Sequence, residues 1–110
     1  MGITPQPSIA DAMNSLWARF LPQIEARVAT LEAAATALGA GDLTGDLKEQ
    51  ACADAHKLAG VLGTFGLREG TELAREAEEA YKGNPEADRK QADHLAGIAA
   101  QLRVLLASRE

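Results

Sequence analysis

The chain has 110 residues and a mass of 11.6 kDa, enough for one domain of ordinary size. Its 46% hydrophobic and 25% charged residues rule out wholesale disorder, and a net charge of −5 disfavours nucleic acid as a partner. The single cysteine, Cys52, forms no internal disulfide, and no apolar run approaches the roughly 20 residues that span a bilayer. The opening Met1-Gly2-Ile3-Thr4-Pro5 lacks the basic and apolar regions of a signal peptide. The expected location is the cytoplasm, with no membrane partner. The 23 alanines, with plentiful leucine and glutamate, favour an all-α fold.

Residues 1–7 read as a short N-terminal tail and 8–110 as one helical domain. Ser8 and Asp11 have the spacing of a helix start. Met13, Leu16, Phe20, Ile24, Val28, Leu31, Ala35 and Leu38 then recur in steps of three and four, the period of a helix face. Pro22 should kink this first helix or mark a join near Phe20–Leu21. Gly39-Ala40-Gly41-Asp42 is a loop. A second helix is expected from about Thr44 past Leu62, with a turn near Thr64–Gly66. A third runs from about Leu67 to Tyr81, with Leu73, Ala74, Ala77 and Tyr81 inward. Lys82-Gly83-Asn84-Pro85 reads as a C-cap glycine, a turn and a helix-starting proline. A fourth, from about Glu86 to Ala107, buries Leu95, Ile98, Ala99, Leu102, Leu105 and Leu106. Four helices with short loops imply an antiparallel up-down-up-down bundle.

The second helix breaks the pattern of a solvated surface. Its core stripe is Leu47, Ala51, Ala55, Leu58 and Leu62. At roughly 100° per residue, His56 projects about 140° from the centre of that stripe, toward solvent. Cys52 and Ala53 lie one turn before it, Ala59 and Gly60 one turn after, and Gly63 two turns after; all are small. An exposed glycine within a helix costs about 1 kcal/mol relative to alanine. The glycines therefore read as clearance that lets another folded protein reach the imidazole. A plainer reading has Gly60, Gly63 and Gly66 fraying the helix before its turn.

An exposed histidine can act as a general base, a metal ligand or a group-carrying nucleophile. A general base needs a pocket and an orienting partner, and the sequence neighbours offer neither. Cys52 and His56 have an i, i+4 spacing that suits two metal ligands, but zinc needs three or four. His94, on another helix, reads as a residue at the core edge or the surface. No metal site is expected. A phosphoryl carrier fits best, because an approachable neutral imidazole is a good nucleophile near pH 7.

The stretch Ala55-His56-Lys57-Leu58-Ala59-Gly60-Val61-Leu62-Gly63-Thr64-Phe65-Gly66-Leu67 resembles the signature of histidine-containing phosphotransfer (HPt) domains. His56, Leu58, Gly60, Gly63, Phe65 and Gly66 match the pattern position by position. The resemblance covers nearly the whole chain and implies a four-helix bundle. It implies a phosphorelay role: His56 takes a phosphoryl group from a histidine kinase or a receiver aspartate and passes it to another receiver aspartate. It also implies a carrier rather than an enzyme. The chain itself would hold no cofactor, with Mg²⁺ expected from the receiver partner. Docking is expected on the exposed face of the second helix, around Cys52, Ala53, Lys57, Ala59, Gly60, Gly63 and Thr64, and on nearby parts of the first. A monomer is expected.

One position departs from the family. Ala59 stands where a lysine is common, and that lysine is expected to help neutralise the phosphoryl group. Lys57 would project roughly 100° round the helix from His56, and Lys48 lies two turns earlier. His56 is followed by Lys57-Leu58-Ala59-Gly60, unlike the phosphoacceptor segment of dimerising sensor kinases. The chain has no nucleotide-binding boxes. Two alternatives remain: an HPt-like interaction module that has lost phosphotransfer, and a metal-binding bundle using Cys52, His56 and His94.

Overall fold

A computed structural model describes residues 8–109; the proposed tail, 1–7, lies outside them. The described residues form four α-helices and no strand: α1 (Ile9–Gly39), α2 (Gly45–Thr64), α3 (Arg68–Lys82) and α4 (Arg89–Arg109). The domain is all-α.

Local chemistry sets the helix starts. The Ser8 hydroxyl accepts from the Asp11 amide at 3.0 Å and the Asp11 carboxylate accepts back from the Ser8 amide at 3.4 Å, a capping box. Thr44 caps α2 by accepting from the Leu47 amide at 3.1 Å. Pro22 lies inside α1 without ending it, so there is no join. Proline deprives the Ala18 carbonyl of its donor, but both residues are exposed and water can replace the lost bond. The turn after α2 needs Gly66, whose φ of +73° disfavours any side chain. Gly83 is the C-cap of α3, as expected, and the left-handed residue is the next one, Asn84, at φ +61°. Helix α4 starts at Arg89, three residues later than Glu86, and Asp88 accepts from the Gln91 amide at 2.6 Å.

The cross-helix contacts bring high numbers on one helix against low numbers on the next. Asn14 meets Arg109, Glu32 meets Arg103, and Gly39 approaches Ala92. Trp17 meets Phe65 and Arg27 meets Asp54; Cys52 meets Glu78 and Ala59 meets Thr71. Alanines line these seams: Ala34, Ala35, Ala51, Ala55, Ala74, Ala77 and Ala99 are buried. Gly70 permits the closest approach of α3 to α2, since a Cβ there would stand 2.9 Å from the Leu62 side chain. Arg103 donates to both Glu32 oxygens, at 3.1 and 2.7 Å, and holds that carboxyl below the usual range.

Several expected core positions differ. On α1 the buried aromatic is Trp17, while Leu16 and Phe20 remain 38% and 39% exposed. The core takes the indole because α4 ends against it, with the Arg109 guanidinium 4.8 Å from the ring centroid. Leu47, Leu73 and Leu105 are only half-buried. On α2 the core also takes Asp54, a residue the apolar stripe gave no reason to bury.

Candidate functional site

His56 stands at the middle of α2 with 75% of its side chain exposed. Burial of Ala51, Ala55, Leu58 and Leu62 turns the opposite side of the helix outward, as the sequence predicted. Ala53, Lys57, Gly60, Gly63 and Thr64 are exposed around it. A Cβ at Gly60 would meet nothing within 4 Å, so that glycine leaves open space beside the ring. Thr64 turns its hydroxyl back onto the Gly60 carbonyl at 3.1 Å.

The remaining two expected surface residues are placed differently. Ala59 is only 6% exposed, because its side of α2 packs on α3 and Thr71 donates to its carbonyl at 3.0 Å. Cys52 is half-buried, with its thiol 3.8 Å from the Glu78 carbonyl oxygen. Both lie on the seam with α3 rather than on the open face.

The sequence neighbours of His56 offered no orienting group, but the fold supplies one from α3. His56 Nδ1 lies 2.9 Å from Glu78 Oε2. A carboxylate only accepts, so Nδ1 carries the proton and the neutral ring keeps its lone pair on Nε2. Glu78 is itself mostly covered, at 19% side-chain exposure, which limits its alternative rotamers. The result is a fixed imidazole with one nitrogen tied back and the other presented outward. Twenty-two residues separate the pair, and no local spacing signalled it.

Other candidates lie elsewhere. Lys57 is exposed on the α1 side of His56, while Lys48 donates to Asn84 near the α3–α4 loop and is engaged there. His94 is at the surface, its Nε2 2.6 Å from Glu76 Oε1. Among the described residues no group of three His, Cys, Asp or Glu side chains converges as a metal site, and no helix is long and apolar enough to cross a membrane. Beneath the face, Asp54 accepts from Arg27 at 2.9 Å and Gln50 at 3.1 Å, pinning α1 to α2.

Both histidines of this four-helix domain are at the surface against a carboxylate, and His56 is the one with Gly60 and Gly63 beside it on α2. The family model for the Hpt domain matches residues 15–106, and the chain belongs to that family. It is thus a histidine phosphotransfer module of two-component signalling, a family whose members work with receiver domains or histidine kinases. Comparison with curated proteins and with solved structures gave no match.

Proposed function

We propose that His56 is the phosphoacceptor, with Nε2 as the nucleophile, and that the chain shuttles a phosphoryl group between receiver aspartates or from a histidine kinase. The observation that carries this reading is the Glu78 contact to Nδ1 beneath an exposed ring. The bundle would run up-down-up-down, a reading supported by the opposed numbering of its cross-helix contacts. In the transfer, the lone pair of Nε2 attacks the phosphorus of an aspartyl phosphate. The P–O bond breaks, the aspartate leaves as a carboxylate, and a P–N bond forms. Positive charge develops on the ring while Nδ1 keeps its proton, and the Glu78 carboxylate lies against that N–H. The reverse step returns the group to another aspartate.

The receiver would bring Mg²⁺ and the acidic residues, and this chain the positioned nucleophile and a docking face around Lys57, Gly60, Gly63 and Thr64. The reading is of a monomeric phosphocarrier in the cytoplasm. The test is incubation with phosphorylated receiver domains and Mg²⁺. The expected product is an acid-labile, base-stable phosphate on the chain that disappears in His56→Gln. Label that persists in His56→Gln refutes the site. A wild-type chain that takes no label from any receiver favours an interaction module that has lost phosphotransfer, in keeping with Ala59.

A further inference from the structure

Both histidines of the chain are tied to α3, from opposite sides. His56 on α2 contacts Glu78, and His94 on α4 brings its Nε2 to 2.6 Å from Glu76 Oε1. Glu76 and Glu78 are two residues apart, about 3 Å along the helix axis. At roughly 100° per residue their side chains leave α3 about 160° apart. One carboxylate therefore serves the α2 flank and the other the α4 flank.

Little else fixes the roll of α3 about its axis. Its buried residues are Gly70, Ala74, Ala77 and Tyr81. Three of those four offer nothing beyond a Cβ to wedge between the ridges of a neighbouring helix. Two polar contacts hold α3 from the α2 side: the Thr71 hydroxyl donates to the Ala59 carbonyl at 3.0 Å, and the Cys52 thiol meets the Glu78 carbonyl oxygen at 3.8 Å. Both lie along one flank and act as a hinge. Among the described residues, His94–Glu76 is the one hydrogen bond or ion pair between α3 and α4. It is the clasp opposite that hinge.

Small rolls matter at the site. A roll of about 10° moves a carboxylate roughly 7 Å from the axis by about 1 Å. The 2.9 Å contact of Glu78 to His56 Nδ1 does not survive such a shift along its length.

We infer that His94 is a positioning residue for phosphoryl transfer at His56: by holding Glu76 it sets the roll of α3 and so keeps Glu78 on the Nδ1 proton. The inference rests on the phosphotransfer reading of His56. His94 acts from the far side of α3 and touches neither His56 nor the phosphoryl group. The clasp is half exposed, at 55% and 53% of its two side chains, and a surface pair shifts an equilibrium about fivefold at most. Its loss should therefore cost less than the loss of Glu78 itself.

The test follows the His56 ring by nitrogen NMR, and the rate of label uptake from receiver domains loaded with phosphoramidate in the presence of Mg²⁺. His94→Ala leaves His56 as the only histidine, so its ring signals are unambiguous. In that variant the Nδ1–H tautomer should lose population and transfer should slow about twofold to fivefold. His94→Gln, which keeps an N–H donor near the place of Nε2, should behave as the wild type does. In a Glu78→Ala background, His94→Ala should slow transfer no further. Thermal melts confirm that each variant is folded. If His94→Ala matches the wild type in tautomer and rate, if His94→Gln is as slow as His94→Ala, or if the slowing persists in full without Glu78, the positioning inference falls while the phosphotransfer reading stands. If the wild type takes no label from any receiver, both fall.

Discussion

Glu78 on α3 holds His56 Nδ1 at 2.9 Å across the α2–α3 seam. The pair divides the imidazole into a tethered nitrogen and a reactive one. Glu78→Ala should slow phosphoryl transfer about tenfold, equivalent to about 1.4 kcal/mol. The stability change should stay within about 1 kcal/mol, because the histidine end of the pair is exposed. Nitrogen NMR of the ring should show the Nδ1–H tautomer losing population. Unchanged transfer and an unchanged tautomer ratio would reduce the pair to a surface contact.

Gly60 separates stability from access. Nothing lies within 4 Å of a Cβ placed there, so Gly60→Ala should stabilise α2 by about 1 kcal/mol. Gly60→Trp should keep the helical circular dichroism and yet lower the rate of transfer from a receiver. Equal rates for both variants would show that clearance beside His56 is not needed.

The Arg27–Asp54 pair joins α1 to α2 beneath the same face. Asp54 is 4% exposed, so Arg27→Ala leaves a buried carboxylate with only the Gln50 amide. Urea unfolding should show a loss of about 2–3 kcal/mol. Arg27→Met combined with Asp54→Leu should recover most of it, since no charge then remains buried. A double variant as unstable as the single would place the effect in packing instead.

Tyr81 buries its hydroxyl without a hydrogen-bond partner. Tyr81→Phe should therefore be neutral or stabilising by about 1 kcal/mol at pH 7. Burial pushes the phenol up to about 12 from its usual 10.0. The folded state thus holds this proton more tightly, and its contribution to stability is lost as pH rises from 10 toward 12. Denaturation across that window should be steeper for wild type than for Tyr81→Phe. Parallel curves would mean that the hydroxyl is hydrated.

Much of the site was legible along one helix. The apolar period of α2 turns its far side outward, and that alone put His56 in solvent with Gly60 and Gly63 beside it. The same periodicity misjudged positions at helix edges. Leu16 and Phe20 fit the α1 stripe by spacing, yet the packed ring is Trp17, because the neighbouring helix ends decide which side of a wide stripe is covered. Ala59 likewise lies at the boundary of its stripe, and it is the approach of α3 that buries it.

The sequence by itself determined the helical class, the four segments and the exposed histidine, since each follows from turn chemistry and a 3.6-residue period within a continuous stretch. Only the tertiary structure decided what surrounds that histidine. Glu78 and Arg27 reach α2 across 22 and 27 residues of chain. Their placement depends on how two helices slide and rotate against each other. Side-chain volumes at alanine and glycine seams set that register, and no local pattern encodes it.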